Sequence, residues 1–139
     1  MAFLDRFFKS GQNNSVLVMN NGSFSHNGPW KQVYEDTLLD RWHVGDFSTA
    51  EYTISADLDT NNKEILKVLV TATVDNASIV IYARNNTAKD LIEVTATVNQ
   101  SYVDILINPA EPEDSVSNAG VKVFYTAQYF HNQTPLTVR

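Results

Sequence analysis

Val70–Ile81 reads VTATVDNASIVI, and Val94–Ile105 reads VTATVNQSYVDI. The two stretches match at six of twelve positions, at an offset of 24. In both, apolar residues alternate with polar ones, and a pair of Asp, Asn or Gln interrupts the alternation. A period of two is the mark of a strand with one buried face. Asn and Asp tolerate the positive φ that a two-residue hairpin loop requires. The sequence therefore predicts two hairpins, one turning at Asp75-Asn76 and one at Asn99-Gln100.

Those loops set a register. Val74 then faces Ala77, Ala72 faces Ile79, Val70 faces Ile81 and Val68 faces Ala83. In the second copy Ala96 faces Val103, Val94 faces Ile105 and Ile92 faces Ile107. Apolar residues meet apolar residues in both, and a slip of one residue would send them to the wrong face. The opposite face pairs Thr73 with Ser78 and Thr97 with Tyr102. The echo is one hairpin long, so it reads as two independent hairpins and not as a repeat.

The same alternation extends outward. Ala50, Tyr52, Ile54 and Ala56 form one apolar face, and Asp59–Asn62 is a turn. Leu66, Val68, Val70, Ala72 and Val74 form the next, followed by Ile79, Ile81 and Ala83. Val121, Val123, Tyr125, Ala127 and Tyr129 form the last, with Phe124 and Phe130 on the other side. Ser15–Met19 and Trp30–Tyr34 read as further strands, and the Asn/Gly/Ser-rich Asn20–Pro29 as a loop. Leu38–Phe47 has no readable period. Seven or eight short strands predict an all-β fold, an antiparallel β-sandwich of jelly-roll or immunoglobulin-like kind.

The first residues differ. Phe3, Leu4, Phe7 and Phe8 share one side of a short amphipathic helix, with Asp5, Arg6 and Lys9 on the other. Gly11 ends it. The expected organisation is a docking helix and hinge over residues 1–14 and one β-sandwich domain over 15–139. The apolar side of a helix this short needs a surface to pack on, either the chain's own β-domain or a neighbouring subunit, and on the second reading the four residues are the partner-docking patch.

Charge narrows the partners. The chain of 139 residues carries a net charge of −6 with a pI near 4.8. No Lys/Arg cluster is present, so nucleic acid is not an expected partner. No run is long enough to cross a bilayer as a helix, and no secretory signal opens the chain, so no membrane partner is expected either. With no cysteine, thiolate chemistry and disulfides are excluded.

Catalytic signatures are weak. His26, His43 and His131 are isolated from one another and from ligand-spaced carboxylates. Asp57, Asp59, Asn61 and Glu64 have the flavour of a calcium loop but lack its glycine and its distant bidentate Glu. Glu111, Glu113 and Asp114 lie in a Pro-containing loop, a poor frame for paired catalytic carboxylates. The six N-x-S/T sites read as turn and strand residues. No catalytic residue, metal site or cofactor is predicted. Trp30 and Trp42 are candidates for stacking on a sugar, although such residues also plug sandwich ends.

The run Gly45–Ala72, GDFSTAEYTISADLDTNNKEILKVLVTA, resembles a domain in virion structural proteins of tailed phages that infect cyanobacteria. The likeness continues through ASIVIYARNN at Ala77–Asn86 and VKVFYTAQYF at Val121–Phe130, and spans Trp42–Asn132. It implies a non-enzymatic structural component of a virion, made in the host cytoplasm. Capsid decoration, neck and tail or baseplate accessory are the expected positions. The partners implied are other virion proteins, with the chain present as a homo-oligomer or in many copies. The resemblance carries no active site, so it assigns no residue. The first forty residues lie outside it and are expected to determine where the chain attaches. The alternative expectation is a carbohydrate-binding sandwich that recognises a host surface glycan.

Overall fold

The computed structural model describes residues 15–18, 24–28, 30–110 and 120–131, the first of these by backbone alone. The expected docking helix with Phe3, Leu4, Phe7 and Phe8 lies outside the described residues. So does the loop with Glu111, Glu113 and Asp114.

Ten strands follow one another: β1 (Ser15–Val18), β2 (Phe24–Asn27), β3 (Lys31–Val33), β4 (Thr37–His43), β5 (Phe47–Asp59), β6 (Asn62–Ala72), β7 (Ala77–Asn86), β8 (Ile92–Asn99), β9 (Tyr102–Pro109) and β10 (Val121–His131). All pairings are antiparallel. A long sheet has the order β1-β2-β10-β5-β6-β7, with β3 also on β10, and a short sheet has the order β4-β9-β8. The described residues contain no helix.

Both sheets supply one buried cluster. Ala50, Tyr52, Ile54 and Ala56 enter it from β5, Leu66, Val68 and Val70 from β6, and Val121, Val123, Tyr125, Ala127 and Tyr129 from β10. The short sheet contributes Trp42, Ile92, Val94, Val103, Ile105 and Ile107. These are the apolar faces that the alternation predicts. Full burial of each large apolar side chain stabilises the fold by about 1.5–3 kcal/mol.

Two expectations about local structure need correction. Phe24–Asn27, expected as loop, is a strand held by β1 on one side and β10 on the other. Ladder bonds use the backbone alone, so they override the poor strand propensity of Ser and Asn. Both hairpin registers also differ by two residues from the predicted ones. In the first hairpin Ala72 faces Ala77, Val70 faces Ile79 and Val68 faces Ile81. Thr73 N donates to Asn76 O at 2.8 Å, so the apex is Val74-Asp75. In the second, Val98 faces Val103, Ala96 faces Ile105 and Val94 faces Ile107, and the apex is Gln100-Ser101. A slip of two keeps every side chain on its own face, so the hydrophobic pattern does not detect it. Gln100 and Ser101 have φ of 54° and 69°. Positive φ at both central residues is what a type I′ turn needs.

Four register shifts occur among the described strands, and two of them re-aim a charged residue. In β4 the register moves between Leu38 and Asp40. Leu39 is the extra residue, and Asp40 comes to lie on the inner side with Trp42. In β7 Ile81 faces Val68 but Ala83 faces Lys67, so Tyr82 is the extra residue. Beyond it the parity inverts. Ala83, expected on the apolar face, is exposed, and Arg84 faces Leu66 on the inner side. A bulge commonly re-aims a side chain in this way.

Candidate functional site

The β4 and β7 bulges each deliver a charged group to the interior. The Asp40 carboxylate, from the short sheet, accepts hydrogen bonds from Tyr52 at 2.6 Å and from Tyr129 at 2.5 Å, both from the long sheet. The Trp42 indole N–H donates to the Tyr52 hydroxyl at 2.9 Å. Phe47 stacks on Tyr129 with centroids 5.1 Å apart, and His26 meets Tyr125 edge-on at 5.9 Å. Burial, and next the Asp40 charge, push the Tyr52, Tyr125 and Tyr129 hydroxyls well above the ordinary tyrosine range. They stay protonated donors. This cluster bolts one sheet to the other.

The second delivery is Arg84. Its Nη1 lies 3.1 Å from Glu64 and 2.8 Å from Asp90. The Glu64 side chain is fully buried. Its Oε1 accepts from Leu91 N at 2.8 Å and from Ile92 N at 3.3 Å, and its Oε2 accepts from Asn86 Nδ2 at 3.2 Å. Glu64 therefore pins the open end of the β6–β7 hairpin to the start of β8, where the chain leaves the long sheet for the short one. The calcium-like spacing is absorbed by two separate structural roles. Glu64 turns inward, while Asp59 caps its own turn, accepting from Asn61 N at 2.8 Å and Asn62 N at 2.9 Å. Hydrogen bonds from Asn62 and Asn61 hold the Asp59 carboxyl below its ordinary value. No group of three or more metal-ligating side chains occurs among the described residues.

The outer faces are built differently. On the short sheet Arg41 forms a two-pronged pair with Asp104, at 2.6 and 3.1 Å. The Asp104 partnership raises the Arg41 pKa. Tyr102 lies beneath the guanidinium at 5.8 Å, and the His43 ring meets Tyr102 at 4.9 Å. On the long sheet exposed apolar residues of β6 and β7 lie on one side of a polar row and two phenylalanines of β10 on the other. Ile65, Leu69, Val80 and Tyr82 stand 45%, 44%, 52% and 48% exposed on β6 and β7. Phe124 and Phe130 stand exposed towards the two ends of β10, with Thr126 and Gln128 between them on the same face. Between β6 and β10, β5 presents Glu51, Thr53 and Ser55. Tyr82 reaches across β6 to donate to Glu51 at 2.5 Å, which raises the Tyr82 pKa.

The two tryptophans part company. Trp42 is 5% exposed and takes the packing role, so its burial removes it as a sugar-stacking surface. Trp30 is 46% exposed and lines an open groove of about 370 Å³ with Asn27, Gly28, Thr53, Ser55, Phe124, Tyr125 and Thr126. The groove lies at a notch. β10 pairs with β3 through Val121–Val123 and with β2 through Thr126–Tyr129, so Phe124 and Tyr125 fall between the two ladders. A Cβ on Gly28 would come within 2.5 Å of the Tyr125 ring, so only glycine permits this approach.

Comparison with known proteins gives sparse results. No family model and no curated protein matches the chain. Among solved structures, the chain is similar to the tailspike protein gp49 of Acinetobacter baumannii bacteriophage Fri1, a capsular polysaccharide depolymerase, with a TM-score of 0.47 and 13% identity. The match covers 94% of this chain and 21% of that one. It is also similar to the tailspike protein of Acinetobacter baumannii phage AM24, with a TM-score of 0.38 and 12% identity, over 78% of this chain and 26% of that one. The chain thus spans about a fifth to a quarter of the length of these proteins. At this identity and overlap the likeness transfers no activity, substrate or residue.

Proposed function

We propose that the chain is a non-enzymatic structural component of a tailed-phage virion, a two-sheet β-sandwich module that assembles through protein–protein contacts. One observation carries this reading. Leu69 and Val80 are direct cross-strand partners on the outer face of the long sheet, with Tyr82 next along β7 and Ile65 beyond Lys67 on β6, all four apolar residues about half exposed. Single exposed apolar residues are ordinary, but four large ones gathered on one face of two paired strands fit a contact surface. The buried polar groups support it too. Asp40 and Glu64 bind the sheets and hairpins together, which is scaffold work. The resemblance of Trp42–Asn132 to cyanophage structural proteins points the same way.

The test is incorporation into particles. Leu69→Asp with Val80→Asp is expected to leave a folded protein that no longer enters the virion. Incorporation at normal stoichiometry would overturn the assembly surface. Copy number then sorts the positions. Hundreds of copies indicate a capsid lattice or tail tube, and multiples of three, six or twelve indicate neck or baseplate. Release of reducing ends from host envelope polysaccharide would overturn the non-enzymatic part of the reading.

A further inference from the structure

We infer that the notch between β2 and β3 is a binding site for a neutral glycan, with Trp30 as its stacking platform. The inference goes beyond the assembly reading and uses a different part of the long sheet. Small-ligand sites are concave, lined by aromatic and apolar groups with a few converging polar ones, and measure roughly 300–1,000 Å³. The groove meets each condition at about 370 Å³. Its size suits a short stretch of sugar chain.

The lining selects the chemistry. Trp30 and Phe124 supply aromatic surface, and Asn27, Thr53, Ser55 and Thr126 supply an amide and three hydroxyls. Their positions follow from the ladders. Phe124 faces Ser55, and Thr126 stands between Thr53 and Asn27. Hydroxyls and amides both donate and accept hydrogen bonds, as sugar hydroxyls do. A pyranose offers an apolar C–H face to an aromatic ring and polar edges to such groups. The eight lining residues include no charged side chain, so the lining itself supplies no cation for a phosphate or a carboxylate. Beside it the Lys122 ammonium lies over the Trp30 ring, 4.9 Å from its centroid, in a cation–π contact. An apolar peptide side chain would use the aromatic surface but leave the hydroxyl row unmatched, at a desolvation cost.

The experiment uses the full chain on an array of neutral and acidic oligosaccharides, followed by calorimetric titration of the best binder. Binding of a neutral oligosaccharide is expected. Trp30→Ala should weaken it by about tenfold or more, and Trp30→Phe by less. Thr53→Ala with Thr126→Ala should also weaken it while the circular dichroism spectrum stays unchanged. The Leu69→Asp, Val80→Asp variant should bind the sugar normally, which separates this site from the assembly surface. Failure to bind any neutral sugar, binding only of acidic sugars or apolar peptides, or sugar binding unchanged in Trp30→Ala would each overturn the inference.

Discussion

VTATV at Val70 and VTATV at Val94 are the same five residues, yet they end in different structures. The first runs along β6 in the long sheet and reaches its apex at Val74-Asp75. The second runs along β8 in the short sheet and turns two residues later in the echo, at Gln100-Ser101. The fifth residue shows the consequence. Val74 stands at a hairpin tip, 62% exposed, while Val98 sits in the ladder opposite Val103 and packs against the core. Local sequence selects the face that each residue shows. Register along the strand is decided elsewhere. For the first hairpin, β6 is already paired with β5, and Glu64 captures its open end. For the second, β8 pairs with β9 alone, and the type I′ turn carries the alignment.

The strongest way to break this contrast is to release the pinned end. Glu64→Ala removes the acceptor of Leu91 N and Ile92 N and a charge partner of Arg84. It is expected to cost about 3–5 kcal/mol, read by urea denaturation. Hydrogen exchange should then rise in β7 before β9. An equal rise in both strands would contradict separate anchoring.

A second probe acts on the bolt between the two sheets. The pKa values of Tyr52, Tyr125 and Tyr129 are raised when folded, so above pH 10 the unfolded chain loses protons that the folded chain keeps. Stability is therefore fully present below pH 10 and falls as pH rises beyond it. The slope approaches about 1.4 kcal/mol per pH unit for each tyrosine. Tyr129→Phe should flatten the slope of the unfolding midpoint against pH. The difference between the two hairpins should persist, because neither β6–β7 nor β8–β9 supplies a residue to this cluster.

Smaller effects sharpen the comparison further. Val98→Ala is expected to cost about 1–2 kcal/mol and Val74→Ala less than about 0.5 kcal/mol. Thermal unfolding of the two variants measures that gap, and equal losses would mean that the apexes coincide. At the turn, Gln100→Asn with Ser101→Gly should stabilise by about 0.5–1 kcal/mol, since both positions hold positive φ. Asn and Gly at Asp75-Asn76 should not reproduce the gain, because the first hairpin's apex is one residue earlier.

Much of the architecture is legible in the sequence. The apolar faces of β5, β6, β9 and β10 follow the alternation, and Phe124 and Phe130 stand outside as the pattern indicates. Register is less legible, because an even slip leaves every face intact. The buried charges are hidden for a related reason. Strict alternation places Arg84 outside, and a bulge two residues earlier turns it inward, while Asp40 lies in Leu38–Phe47, where no period is readable. A charged residue just beyond a break in alternation was the available signal. Leu38-Leu39 beside Asp40 shows it faintly, and Tyr82-Ala83 before Arg84 more faintly still. Trp30 and Trp42 look alike in sequence, and only strand placement separates the exposed ring from the buried one. The groove at Trp30 joins residues of β2, β5 and β10, so no local window contains it.

The position of β10 has a kinetic consequence. It is the last of the ten strands among the described residues, yet it lies inside the long sheet, between β5 on one side and β2 and β3 on the other. A ribosome releases β5, β6 and β7 early, and they can pair as they emerge. The β1–β2 pair and β3 must wait some ninety to a hundred residues for the strand that joins them to the rest of the sheet. Until then β5 offers an open apolar edge. Such long-range closure is slow, and the waiting intermediate is exposed to wrong partners. Completion of the long sheet therefore depends on the insertion of β10 between strands made much earlier.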